Sequence, residues 1–123
     1  MITKQVADPV WGTYAQSLLD GRFRQPRSGS HNDEAHPPIH PVRSATSLVG
    51  DEKKVFDFIT RRFLASCSHE ARGQGTSVTM TVADEVFRAN GLVILERNYL
   101  DIYPFDKWAG IILVFLFYRL DCV

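Results

Sequence analysis

Apolar side chains recur at helical spacing after Asp8-Pro9, the first patterned segment of the chain. An acidic residue followed by proline favours a helix start, because Asp8 can cap free backbone amides and Pro9 suits the first helical position. Gly21 then supplies a stop signal. We therefore predict an amphipathic helix between these points. Its apolar stripe consists of Trp11, Tyr14, Ala15, Leu18 and Leu19.

A second helical pattern begins at Asp51, which is the predicted cap of that helix. The predicted buried face consists of Val55, Phe58, Ile59, Phe63 and Cys67. Lys53, Lys54 and Arg61 fall outside this face, and Arg62 is expected to share a solvated helix edge with Arg61 and to brace the preceding loop.

The segment between the two helices, Arg22 to Val49, has no apolar period. It contains Gly29, several serines and four prolines, which are Pro26, Pro37, Pro38 and Pro41. This composition predicts a loop. A loop of this length inside a compact chain is usually functional or a linker.

After Gly73-Gln74-Gly75 the hydrophobic period changes from that of a helix to that of a strand. Val78, Met80 and Val82 alternate with polar residues, which predicts a half-buried strand. Val86–Ala89 and Leu92–Leu95 flank Asn90-Gly91, a pair that favours a type I′ hairpin turn. Tyr99–Tyr103 is predicted as a further strand.

These elements predict an α+β fold with two parts that meet near Gly73. We place a helical part with its loop at residues 1–72 and an antiparallel β part at 73–108. Residues 109–123 form a hydrophobic tail that fits neither part. The apolar run in this tail, Gly110–Tyr118, would cover only about 14 Å as a helix, which is too short for a membrane span.

Composition adds the charge balance and the redox compartment to this picture. The 123 residues carry 14 basic and 14 acidic side chains, so no net field attracts nucleic acid to the whole chain. The window from Arg22 to Arg43 is locally basic, with four arginines and three histidines against Asp33 and Glu34. Two cysteines, one of them beside the C-terminus, predict no disulfide framework and fit a reducing compartment.

Three histidines in the loop raise the possibility of zinc. His31, His36 and His40, with Cys67 and His69 further on, offer ligand atoms but no close ligand pair, and Pro37-Pro38 keeps a helix from aligning them. We therefore expect no metal site in this chain. The loop histidines are expected to face a polyanion or solvent, and no glycine-rich phosphate loop or nucleophile triad is present. Cys67, on the predicted buried face, is expected to be an inert thiol.

Five blocks of sequence, in the same order, resemble the central region of type IA DNA topoisomerases of the eukaryotic topoisomerase III alpha subfamily. The resemblance covers about Asp8 to Trp108. The blocks are Asp8-Pro9-Val10-Trp11-Gly12 to Leu19, Pro26-Arg27-Ser28-Gly29, the histidine-proline run from Asp33 to Pro41, Phe58 to Ala65, and Asn90-Gly91-Leu92 to Asp101. The histidine-proline run is the most specific of them.

The resemblance implies an enzyme that passes one DNA strand through a transient break in another. In such enzymes a tyrosine attacks single-stranded DNA and forms a 5′-phosphotyrosine link, assisted by Mg²⁺ that acidic residues of an N-terminal domain hold. It also implies that residues to about Ser68 complete the helical, tyrosine-bearing domain and that residues from about Thr76 are strands of the β domain of the arch. Single-stranded DNA, a RecQ-type helicase and an OB-fold protein are the implied partners. The nucleus is the implied compartment, with mitochondria left open.

The resemblance matches His36 with the family histidine that reaches the scissile phosphate. A histidine beside a phosphate should gain proton affinity, so its pKa should rise above about 6.5 and favour a cationic donor. Arg27 is expected to contact a phosphate, since its guanidinium group suits phosphate oxygens. His31, His40 and Arg43 complete the predicted DNA-binding set. The alternative for all five residues is a solvated loop.

Two departures from the family pattern limit what this chain is expected to do. None of Tyr14, Tyr99, Tyr103 or Tyr118 stands in the Tyr-Pro-Arg context of the family nucleophile, and the acidic metal-binding motif is absent. We therefore expect an internal piece of such an enzyme that does not cleave DNA by itself, with exposed apolar surface and marginal stability. The alternatives are a non-catalytic module that binds single-stranded DNA, and an interaction module without a nucleic-acid role.

Overall fold

The computed structural model describes residues 1–31, 34–45 and 47–108, and these form two compact units. The first unit comprises Met1–Ala71 and Arg97–Lys107. The second contains Arg72–Glu96 and, among the described residues, Trp108. The architecture is a small α+β fold, as predicted, and residues 97–107 belong to the helical unit rather than to the strands. The hydrophobic tail, including Cys122, lies outside the described residues, as does Asp33 of the histidine-proline run.

Helix α1 spans Gly12–Ser17 and continues as a π-helical turn over Leu18–Arg22. The regular helix begins later than predicted, at Gly12, but Asp8 caps the turn that leads into it: its carboxylate accepts a bond of 2.8 Å from the Val10 amide, and its carbonyl oxygen accepts one of 2.8 Å from the Gly12 amide. Gly12 is required here, since a Cβ at this position would lie 2.2 Å from the backbone oxygen of Val6.

The end of this helical segment agrees with the predicted stop. Gly21 has a φ of 115°, a conformation that glycine adopts readily, and the chain is extended from Phe23 onward.

No regular helix or strand occurs between residues 23 and 49 in the described part of that segment, so the predicted loop is confirmed. A short 3₁₀ turn, Ile2–Gln5, precedes α1 and packs on it. Within residues 1–31, 34–45 and 47–108, no helix has the length and apolar character needed to cross a bilayer.

Helix α2 spans Gly50–Ser66, and its buried side differs from the predicted face. Asp51 lies inside the first turn, paired with Lys54, so it is not the cap. Val55 is 59% exposed, whereas Leu64 and Thr60 are fully buried. The burial therefore follows the last turns of α2, where the short helices of the same unit contact it.

Phe58, another residue of the predicted buried face, is only partly covered, and its described ring contacts are aromatic. The centre of its ring lies 5.2 Å from that of Phe105, edge-on, and 6.2 Å from that of Tyr103, tilted. The exposed fraction of Phe58 is 46%, so it forms the rim of the core rather than its centre.

The core of the helical unit is small and gathers side chains from every helical segment of that unit. Its buried members are Ile2, Trp11, Ala15, Leu18, Leu64, Cys67, Ile102 and Tyr103. The segment predicted as a third strand, Tyr99–Tyr103, contributes two of them from a 3₁₀ turn, Asn98–Asp101, and its end. The strand prediction is wrong, because backbone bonds from Leu100 to Arg97 and from Ile102 to Tyr99 close helical turns in this segment.

The second unit is one antiparallel hairpin, with β1 at Arg72–Val82 and β2 at Glu85–Glu96. Its turn is Ala83-Asp84, so the predicted turn at Asn90-Gly91 is wrong. Asn90 pairs with Ser77 inside the sheet and accepts a bond of 2.8 Å from its hydroxyl.

The apolar residues of the hairpin remain largely exposed, so the predicted half-buried face is not buried in this chain. Met80, Val82, Val86, Phe87, Val93 and Leu95 are each more than half exposed. The expectation of exposed apolar surface is thus confirmed for this unit.

Candidate nucleic-acid interface

The first arm of the long loop is attached to the C-terminal end of α2. The Arg24 amide donates a bond of 2.9 Å to the Cys67 carbonyl. The guanidinium group of Arg24 lies 4.0 Å from a carboxylate oxygen of Glu70, and Arg27 forms an ion pair with the same oxygen. Cationic side chains at this end also complement the helix dipole.

The second arm returns to the same helix and to the N-terminal turn. The His40 ring lies 6.4 Å from the Phe63 ring, and its Nδ1 is 2.8 Å from the Pro38 carbonyl oxygen. The carbonyl oxygen of Arg43 accepts a bond of 2.9 Å from the buried Gln5 side chain. Phe63 and Cys67 are one helical turn apart, so both arms meet α2 at neighbouring turns.

Between these arms the loop is presented to solvent. Every described residue from Ser28 to Ile39 is exposed, including His31 and His36, and Ile39 reaches 81%. The helical unit therefore fixes the two ends of the loop and leaves its centre accessible. This is a common arrangement for binding loops on a rigid scaffold.

The five predicted DNA-binding residues are not all alike in their surroundings. Arg27 joins Arg24 and Glu70, whereas His40 packs on α2. Arg43 is exposed and uses its backbone, not its guanidinium group, in the described contact with Gln5. His31 and His36 lie in the exposed centre of the loop.

A cavity of about 280 Å³ lies beside the first arm. It is lined by that arm and by the residues that follow α2, among them Arg24, Arg27, Ser66, His69, Glu70 and Tyr99. Sequence analysis missed Arg24 and Glu70, because nothing in the spacing of charges indicates that Glu70 meets the loop.

Arg62 is exposed at the predicted solvated edge, whereas Arg61 is not. Arg61 donates to Asp57 at 2.8 Å and to the Ile102 carbonyl at 3.1 Å, and only 17% of its side chain is exposed. Its guanidinium group also lies 5.7 Å from the centre of the Trp11 ring. Arg62 lies over Tyr103, at 5.4 Å, so its described contact is with the core and not with the loop.

The described tyrosines have structural partners. The Tyr14 hydroxyl lies 2.7 Å from the Ser68 hydroxyl and 3.2 Å from the Asn98 carbonyl oxygen, and burial raises its pKa, although the bond to Ser68 partly opposes this. Tyr99 donates to Asp106 at 2.5 Å. Tyr118 lies outside the described residues.

Metal ligands do not converge in the part of the chain that is described. No group of three or more His, Cys, Asp or Glu side chains there is placed to hold an ion. Burial also raises the pKa of the Cys67 thiol, which keeps it protonated and a poor ligand or nucleophile. The described residues therefore do not fit a magnesium site.

Comparison with known proteins assigns the chain to a family. The DNA topoisomerase family model matches residues 1–111. The chain is 50% identical over 113 residues to DNA topoisomerase 3-alpha of Homo sapiens and 51% identical over 112 residues to DNA topoisomerase 3 of Candidozyma auris. These matches cover 92% and 89% of the chain but only 11% and 18% of the relatives. The chain belongs to the DNA topoisomerase family, and within it to the topoisomerase III type.

Proposed function

We propose that this chain is the region of a type IA topoisomerase that holds single-stranded DNA at the bond to be cut and resealed. The observation that carries the proposal is the loop fixed at both ends to the helical unit, with His36 in its exposed centre. The relatives are named DNA topoisomerases, whose substrate is a polyanion. A basic, histidine-bearing loop held open to solvent suits a DNA backbone.

His36 is proposed as the catalytic residue of this region. Cleavage of a phosphodiester by a tyrosine places negative charge on the phosphate oxygens and on the departing 3′ oxygen. A cationic imidazole in contact with that phosphate would stabilise the charge, and it would return to the same role when the 3′ hydroxyl reseals the break. Arg27, His31, His40 and Arg43 are proposed to bind the neighbouring phosphates.

The nucleophile is proposed to come from another region of the whole enzyme. Tyr14 hydrogen-bonds within the helical unit and its pKa is raised, so it is poorly suited to attack a phosphate. Mg²⁺, when bound by acidic residues of an N-terminal domain of the whole enzyme, would supply positive charge beside the phosphate. ATP is not required by the proposed exchange, because the phosphotyrosine bond conserves the energy of the broken bond.

The remaining assignments follow from the same proposal. We propose that the helical unit belongs to the domain that carries the nucleophilic tyrosine and that the hairpin belongs to the β domain of the arch. Nuclear DNA is the proposed site of action, with mitochondrial DNA also open. A RecQ-type helicase and an OB-fold protein are the proposed partners, and a membrane is not.

Catalysis is tested in the full-length enzyme that carries this region. We expect His36→Ala to slow relaxation of negatively supercoiled DNA by about 100-fold, the contribution typical of a positioned acid or base. Ile39→Ala changes an exposed side chain of the same loop and serves as the control. Undiminished relaxation by His36→Ala would refute the proposed role.

Binding is tested with the chain itself. We expect binding to single-stranded DNA to weaken steeply with salt, because each phosphate contact releases counterions. His36→Ala combined with Arg27→Ala should reduce this binding further. Unchanged binding by the double variant would overturn the site assignment, and no binding at low salt by a folded sample would favour an interaction module.

A further inference from the structure

The cavity at the end of α2 contains two guanidinium groups directed at one carboxylate oxygen. Arg24 and Arg27 both face Oε1 of Glu70, and the three side chains are each about half exposed or more. Two cations against one anion leave an excess positive charge. The guanidinium geometry suits the paired oxygens of a carboxylate or of a phosphate equally well.

The carboxylate and the arginines differ in how they are held. The Glu70 carbonyl oxygen accepts a bond of 2.7 Å from the Asn98 side chain, and the adjacent His69 carbonyl accepts one of 3.3 Å from the Tyr99 amide. Two hydrogen bonds from the following 3₁₀ turn thus fix the backbone at Glu70, which carries the carboxylate. The arginines lie on the loop, whose described backbone bond to the end of α2 runs from the Arg24 amide to the Cys67 carbonyl.

The space beside these groups is sufficient for a ligand. The cavity of about 280 Å³ has room for several water molecules, since one water needs only about 10–15 Å³ of such space. It opens between the loop and the residues after α2, so a strand held by the loop could place a phosphate in it.

We propose that Glu70 occupies the place of a DNA phosphate, and that single-stranded DNA binds here by displacing this carboxylate from Arg24 and Arg27. The inference rests on the proposed function and adds Arg24 to the binding residues. Glu70 acts as an internal competitor: it holds both arginines in the free protein and weakens DNA binding by the cost of exchanging one anion for another.

The size of the effect follows from the exposure of the ion pairs. Exposed ion pairs contribute an equilibrium factor of about two to five. Removing the charge of Glu70 while keeping its shape should therefore tighten binding by about two- to fivefold. Glu70→Gln keeps the backbone bond from Asn98, so the fold should not change.

The test measures fluorescence anisotropy of a labelled oligothymidylate titrated with the full chain at low salt. The matched control is Glu96→Gln, since Glu96 pairs with Arg72 in the hairpin at 3.1 Å with nearly the same exposure as Glu70 and Arg27. Both variants change the net charge by the same amount. Glu70→Gln should bind more tightly than the wild type and the control.

A double-mutant cycle assigns the gain to the arginines. In a background of Arg24→Ala with Arg27→Ala, the effect of Glu70→Gln should shrink to that of the control. If the wild type binds and Glu70→Gln does no more than Glu96→Gln, the competitor role is wrong while the proposed function stands. If neither the wild type nor Glu70→Gln binds, the proposed function fails and the competitor role fails with it.

Discussion

Replacing Leu64 with alanine tests which face of α2 holds the helical unit together. Leu64 is fully buried and belongs to the same core cluster as Leu18 and Trp11. Leucine-to-alanine changes at such positions lower the free energy of unfolding by about 2–5 kcal/mol. The protein loses the transfer free energy of the removed atoms, and the cavity that they leave adds a further cost. The total free energy of unfolding of an ordinary domain is only about 5–15 kcal/mol, so Leu64→Ala should remove a large share of the stability.

The matched control is Val55→Ala, on the same helix and with the same product residue. Val55 belongs to the face that the sequence pattern predicts to be buried, but it is 59% exposed in the structure. Val55→Ala should therefore lower the free energy of unfolding by no more than about 0.5 kcal/mol. The two interpretations of the helix therefore predict opposite rankings of these variants.

Urea unfolding of the full chain, followed by far-ultraviolet circular dichroism, measures the difference. With a slope of about 2 kcal/mol per M, within the usual range of about 1–3, the Leu64→Ala midpoint should fall by about 1–2.5 M, and that of Val55→Ala should hardly move. A Val55→Ala midpoint as low as that of Leu64→Ala would refute the assigned packing.

Three further predictions concern single groups. Thr60→Val should raise stability by about 1 kcal/mol in the same urea assay, because the buried Thr60 hydroxyl has no hydrogen-bond partner in the described part of the chain; a loss would reveal a partner. Tyr14→Phe should cost about 1–2 kcal/mol at neutral pH through its bond to Ser68. Because burial raises the pKa of the Tyr14 hydroxyl above 10.0, this hydroxyl makes its full contribution to the free energy of unfolding below about pH 10 and a smaller one at higher pH. The thermal midpoints of Tyr14→Phe and the wild type should therefore converge above about pH 10. Ala83→Gly should stabilise the hairpin by about 1 kcal/mol, since Ala83 has a φ of 54°, and slower amide exchange in both strands would verify it.

The position of the hairpin turn is a feature that local sequence preference predicts wrongly in this chain. Asn90-Gly91 has the residues of a tight turn, but a turn there would pair four residues with four and leave the first strand without a partner. The turn at Ala83-Asp84 instead aligns 11 residue pairs, at the cost of a positive φ at a residue that has a side chain. Backbone hydrogen bonding along the whole hairpin outweighs the local preference.

Local sequence determined the features that depend on neighbours along the chain: two helical segments, the proline-rich loop, the stop at Gly21, an antiparallel β part and, through ordered motifs, the family. Tertiary structure decided what depends on contacts between distant segments. It placed Arg61 against Trp11 and the Ile102 carbonyl, and it brought Glu70 to the loop arginines. Burial and charge pairing are properties of the packed chain, because an apolar stripe or a basic loop acquires its partner only when segments far apart in sequence meet.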